Sequence, residues 1–344
     1  MKISRHLLLF CLLVPSVPLA LVQAKIHKWT NKAGRTINAE FVKGDADTVT
    51  IFTNGRISIV KLSDLKPESQ ALARKLSATP PVDANSPASV QANIQTKGPL
   101  PTIHVAEADW GGASLRDIGK VLNSTAKQLW PHASQDRLDT IIVDRSRTGP
   151  IVLYRRGSEG QYLVRLDTHK NFWSQYAFQF AHEFGHILCG YKPGARDNLW
   201  FEESLCETAS LFVMRRMRED WELNPPYSNW KSYAPALGEY AQKRLDQHAW
   251  PKLVSVSEWY NQNQKELRQN PTNRAKNTTI ATKLLPLFEQ RPENWGAVAY
   301  LNTHKKETSR DFSIYLADWK KACKLASQKE FVTMLARMFG VEQP

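Results

Sequence analysis

The pattern of apolar and polar positions changes twice along the chain. From residue 25 to about residue 76 the two kinds alternate in short runs. Residues 37–42 alternate imperfectly, and residues 49–52 and 57–60 flank Asn54-Gly55. Period-two alternation predicts half-buried strands, and Asn-Gly readily adopts the φ > 0 conformations of a tight hairpin turn. Pro67 then opens a short amphipathic helix carrying Leu72 and Leu76. Residues 77–99 are rich in Ser, Ala, Pro and Asn and show no apolar period. That composition predicts an extended linker. From about residue 100 a larger domain begins. Residues 139–144, 150–154 and 161–166 read as three strands, and everything after Asn171 is mainly helical, with apolar residues at helical spacing through 284–288, 312–319 and 331–338. Strands first and helices afterwards predict an α+β fold for residues 100–344.

The first two dozen residues stand apart from this pattern. Lys2 and Arg5 precede an uninterrupted apolar run over residues 7–13, Pro15 and Pro18 break it, and Val22-Gln23-Ala24 places small residues for cleavage. Residues 1–24 therefore read as a signal peptide, and the chain is expected to be secreted or periplasmic. The apolar run is much shorter than the roughly 20 residues a membrane span needs, and Cys11 lacks the small residues expected before a lipid-modified cysteine. No later stretch is long enough to span, so no membrane span is expected after cleavage.

Composition narrows the function classes. The 344 residues are 42% hydrophobic and 23% charged, ordinary values for globular domains. The formal charge of +13 falls to +11 once Lys2 and Arg5 are removed. No arginine-rich run or aromatic-interleaved basic strand accompanies that charge, so no specific nucleic-acid role is expected. Cys189, Cys206 and Cys323 remain in the mature chain, none in a Cys-x-x-Cys pair. An odd number in an exported chain permits at most one internal disulfide.

Candidate chemistry is concentrated between residues 180 and 207. Trp173, Ala177, Phe180, Phe184 and Ile187 recur every three or four residues, which predicts a helix ended by Gly190 and Pro193. Its other face carries His182, Glu183 and His186, a His-Glu-x-x-His pattern. Two imidazoles on successive turns can share one tetrahedral zinc, leaving the glutamate as general base for an attacking water. A third ligand is required. The metzincin spacing is excluded, because it needs Gly at 189 and His at 192 where Cys189 and Lys192 stand. Downstream, Glu202 and Glu203 compete for the role. Glu203 shares a helix face with Glu207 four residues on, whereas Glu202 is rotated away by about 100°. Glu203 is favoured on this ground, and Glu202 is expected to be a solvated carboxylate near a helix start.

Two resemblances carry these readings further. The run Trp200-Phe-Glu-Glu-Ser-Leu-Cys-Glu207, following His182-Glu-x-x-His186, resembles the gluzincin peptidases and bacterial peptidase-MA-like domains over about 35 residues. The resemblance implies a zincin-like domain with one Zn2+ held by His182, His186 and Glu203. It also implies Glu183 as the base, and Glu207 as the acid that hydrogen-bonds the first histidine. Two departures stand out: Glu202 replaces a common Asn and Ser204 a common Gly, and the Gly-x-Met-Glu-Asn element of alanyl-type aminopeptidases is absent. Tyr233, Tyr240, His248 and Tyr260 are candidates for the group that stabilises the oxyanion, with none singled out. In similar enzymes the strand before the metal helix, here residues 162–166, pairs with extended substrate. Residues 25–76, with Trp29-Thr30, Gly34-Arg35, Ala39-Glu40-Phe41 and Asn54-Gly55-Arg56, resemble the SHD-one module, a small SH3-like barrel.

The expectation is an exported zinc metallopeptidase acting on a peptide or protein substrate, with an N-terminal module that binds a protein or envelope ligand. The alternative is a non-catalytic, zinc-containing cell-envelope binding protein.

Overall fold

A computed structural model describes residues 26–53, 56–78, 98–192, 196–302 and 311–341. The expected signal peptide, most of the expected linker and the Asn54-Gly55 turn lie outside the described residues. The chain divides into two units, residues 1–93 and 94–344.

In the first unit four strands form an antiparallel meander: β1 (Ile26–Thr30), β2 (Thr36–Gly44), β3 (Thr48–Thr53) and β4 (Arg56–Lys61). Gly34, at φ 79°, turns the chain between β1 and β2 in a conformation that favours glycine. Helix α1 (Pro67–Ala78) follows, beginning at Pro67 as its sequence predicts. Trp29, Ala39, Val49, Ile51, Leu62, Leu65 and Ala73 make the core, and the Trp29 indole donates to the Ala39 carbonyl at 3.1 Å. Among the described residues the sheet is not a closed barrel. Strands β1 and β4 share no ladder, and a single bridge, Asn31 to Leu65, links the regions that follow them.

The second unit is α+β. Its sheet contains β5 (Ile103–Val105), β6 (Ile141–Arg145), β7 (Ile151–Leu153) and β8 (Tyr162–Leu166), in the order β5-β6-β8-β7. The expected three strands are present, joined by β5. Helix α2 (Leu115–Leu129) crosses between the parallel strands β5 and β6. It is capped by Ser114 and buries Ile118, Val121, Leu122, Ala126 and Leu129. Strand β8 lies inside the sheet, parallel to β6 and antiparallel to β7. The expectation that residues 162–166 take up a substrate strand is therefore corrected. Both flanks of β8 are occupied, and the edge nearest the candidate site is β7.

Among the described residues eight α-helices follow: α3 (Trp173–Leu188), α4 (Leu199–Leu223), α5 (Ala234–Gln247), α6 (Val256–Gln269), α7 (Arg274–Gln290), α8 (Trp295–Val298), α9 (Phe312–Ala322) and α10 (Ala326–Phe339). Helix α4 is buried on most of its circumference, through Trp200, Phe201, Leu205, Phe212, Met214 and Trp221. It also buries Glu202, Ser204, Glu207, Thr208 and Ser210, so its first half runs through the middle of the fold with polar groups that need partners there. It packs closely on α3 at Gly185, where a Cβ would stand 3.0 Å from the Cys206 sulfur and 3.2 Å from its Cα. That approach brings the polar residues of the two helices together.

Candidate metal centre

The apolar face of α3 is buried as its spacing requires, through Trp173, Ala177, Phe180, Phe184 and Ile187. His182 and His186 therefore emerge one turn apart on another face, with ring centroids 5.1 Å from each other. Both present Nε2 to Glu203 of α4. The separations are 3.2 Å from His182 Nε2 to Glu203 Oε2 and 3.7 Å from His186 Nε2 to Glu203 Oε1. One donor atom from each of the three residues lies within 4.8 Å of the others, a group that could hold one metal ion.

The opposite nitrogen of each imidazole faces a further carboxylate. His182 Nδ1 is 3.7 Å from Glu207 Oε2. The other oxygen of Glu207 accepts from Arg244 of α5 at 3.1 Å and from the Thr278 hydroxyl of α7 at 2.7 Å. Burial works against the Glu207 charge, but the His182 imidazole beside it and the Arg244 cation hold its pKa down to about 2. His186 Nδ1 lies 2.8 Å from Glu202 Oε1, which also accepts from the Tyr154 hydroxyl at 3.2 Å. Asn302 Nδ2 donates to Glu202 Oε2 at 2.8 Å, and the Tyr315 hydroxyl donates to Asn302 Oδ1 at 3.3 Å.

Glu202 thus departs from its expected place in solvent: it is 0% exposed. The rotation of about 100° that separates it from Glu203 turns it behind the second imidazole. Carboxylates dominate the electrostatics. Burial disfavours the charged form of His182, yet its hydrogen bond with Glu203 and the nearby Glu207 carboxylate outweigh it and raise the pKa to about 10. The His186 pKa is raised as well, burial being overcome by the hydrogen bond to Glu202. Such a pocket is built to hold positive charge. Two imidazole nitrogens and a carboxylate oxygen directed at one region, with a carboxylate behind each Nδ1, are compatible with one bound metal ion.

Glu183 projects from α3 beside both histidines and is buried. It accepts the backbone N–H of Val152 on the edge strand β7. Burial raises its pKa, against the opposing influence of the two imidazoles and that N–H. A carboxyl shifted this way is better matched to taking protons near neutral pH than a solvated one.

The four oxyanion candidates are scattered. The Tyr233 hydroxyl bonds Ser174 at the start of α3, eight residues before His182. Tyr260 is buried in an aromatic cluster with Trp200, Phe312 and Phe339. His248 follows the last turn of α5, with its N–H on the Arg244 carbonyl. Tyr240 approaches the site, since its phenol hydrogen-bonds the Arg244 that also holds Glu207. The residues that sequence reading missed are Tyr154, Arg244, Thr278 and Asn302. They reach Glu202 or Glu207 across 37 to 100 positions of chain, a separation that carries no local pattern. Among the described residues Cys189, Cys206 and Cys323 are buried free thiols, and Cys189 and Cys206 are hydrogen-bonded to each other. No helix among the described residues is long and apolar enough to cross a membrane. A scan against protein-family models and searches of curated proteins and solved structures find no match to this chain.

Proposed function

We propose that this chain is an exported, zinc-dependent peptidase of gluzincin type. The observation that carries the reading is the convergence of His182, His186 and Glu203 on one region, with Glu183 buried beside them against an edge strand. In this reading the second unit is zincin-like, and the open sheet of the first is an SH3-like accessory module for a protein or envelope ligand. Export rests on the charged start, apolar run and small-residue site of residues 1–24.

His182, His186 and Glu203 would hold the zinc. A bound zinc supplies Lewis acidity, which polarises a carbonyl and brings water into reach of a base near pH 7. Glu183 takes the proton of the attacking water and returns it to the leaving amine. Glu202 and Glu207 keep the two imidazoles in the tautomer that leaves Nε2 free to donate its lone pair. An extended peptide would add to the sheet along β7, beside Glu183, with backbone pairing for register and side-chain pockets for choice.

The test joins metal analysis to a peptide-library digest of wild-type and Glu183→Gln protein. The wild type is expected to carry zinc and cut peptides. Glu183→Gln should retain the zinc and lose hydrolysis by about 10²-fold or more, because an amide cannot accept the proton. Zinc binding without any cleavage would turn the assignment to the envelope binding protein. Undiminished cleavage by Glu183→Gln would overturn the mechanism.

A further inference from the structure

We infer that Arg274, the first residue of α7, recognises a carboxylate on the substrate, either a C-terminal α-carboxylate or an Asp or Glu side chain. The inference rests on the peptide-hydrolysing reading above. Its geometry begins at Thr278, whose hydroxyl stands 2.7 Å from Glu207 Oε1 and 2.8 Å from the Arg274 carbonyl. The first turn of α7 is therefore two hydrogen bonds away from the carboxylate behind His182. Helices α4 and α7 run in the same direction, because Glu207 meets Thr278 and, further along both, Arg215 Nε meets Glu289 Oε1 at 2.9 Å. One turn back from Glu207 is Glu203; one turn back from Thr278 is Arg274. Side chains on a helix lean toward its N-terminus, which carries the guanidinium outward on the Glu203 side.

The electrostatics agree with this placement. The Arg274 charge acts to lower the phenol pKa of Tyr240, whose hydroxyl neighbours the Arg244 that holds Glu207. Nearby cations are already engaged: Arg244 with Glu207, Arg215 with Glu289, and Lys276 with Glu266 at 3.1 Å. Arg274 is exposed, and among the described residues no carboxylate lies within ion-pair distance of its guanidinium. A planar fork of donors one helical turn before Thr278, with no ion-pair partner among the described residues, is suited to a bidentate carboxylate on an incoming chain.

The experiment uses full-length zinc-loaded protein and randomised octapeptides synthesised both as C-terminal acids and as C-terminal amides. Cut peptides are identified by mass spectrometry for wild type, Arg274→Gln, Arg274→Lys and Arg274→Glu. In the wild type, carboxylate-bearing peptides should be favoured over neutral ones by about tenfold, the scale of one charge-assisted hydrogen-bonded pair. Preference for acids over amides identifies the terminal carboxylate; enrichment of Asp or Glu within amides identifies the side chain. Arg274→Gln should bring the ratio to about one, Arg274→Lys should keep part of it, and Arg274→Glu should favour Lys and Arg instead. A purely structural role would lower cutting of all peptides alike and leave the ratio unchanged. Cleavage without carboxylate preference, or a preference that survives Arg274→Gln, overturns the inference and leaves the peptidase reading standing. If no peptide is cut, the peptidase reading fails. Capture of the same libraries on immobilised protein then decides the inference: Arg274-dependent enrichment of carboxylates upholds it, and equal capture of neutral peptides overturns it.

Discussion

The two imidazoles of the candidate centre sit one helical turn apart, yet they are held from behind in different ways. The carboxylate behind His182 has a cation of its own: Glu207 pairs with Arg244, which is about a quarter exposed, and with Thr278. The carboxylate behind His186 is sealed from solvent. Apart from the imidazole, Glu202 is hydrogen-bonded by the neutral donors Tyr154 and Asn302. On the first side a formal counter-charge is built into the fold. On the second the nearest source of positive charge is the His186 imidazole itself. Stability of the fold and occupancy of the centre should therefore be coupled more tightly through Glu202 than through Glu207.

The largest effect is expected at the centre itself. His182→Ala, His186→Ala and Glu203→Ala should each reduce bound metal from near one equivalent to near none, measured by elemental analysis, because two remaining donors hold a divalent ion weakly. Retention of metal by Glu203→Ala together with its loss in Glu202→Ala would show that the ligand is the neighbouring carboxylate.

Next comes the contrast between the two supporting acids. Glu202→Ala and Glu207→Ala should each weaken zinc affinity by about 10–100-fold in a competition titration. Glu202→Ala should also destabilise the metal-free protein by about 1–3 kcal/mol, more than Glu207→Ala does, because it strands buried donors on Asn302 and His186. In Glu207→Ala the partly exposed Arg244 can turn to water. Equal melting temperatures for the two metal-free variants would abolish the distinction.

The smallest effect is expected from Tyr154→Phe. It removes one of the neutral donors to Glu202 while keeping a ring that is partly exposed. A loss of about 1 kcal/mol is expected from thermal denaturation. A loss as large as that of Glu202→Ala would mean that the tyrosine, rather than the carboxylate, organises this side.

Much of the centre is legible in the chain because its first elements are local. The apolar stripe of Trp173, Ala177, Phe180, Phe184 and Ile187 sets the rotation of α3, and that rotation places His182 and His186 together. The spacing of Glu203 and Glu207 does the same for α4. The reading failed at Glu202, since a carboxylate near a helix start looks solvated until the elements around it are known. It failed again at the strand before α3. A short apolar run reads alike in the middle and at the edge of a sheet, and the order β5-β6-β8-β7 puts that strand inside. Helix α2 and strand β5 escaped notice too, although Ile118, Val121, Leu122, Ala126 and Leu129 keep a helical period.

By itself the sequence determined which side chains share a turn, because backbone periodicity over three or four residues is a local property. It thereby settled the histidine pair, Glu183 beside it and the pairing of Glu203 with Glu207 on one face. Tertiary structure alone decided which groups complete the pocket. Arg244 and Thr278 come from two helices and Tyr154 and Asn302 from the segments after β7 and α8, and their approach depends on how α4 is enclosed by the sheet edge and the later helices. Those contacts follow from burying apolar surface throughout the second unit, and no short window of sequence contains that information.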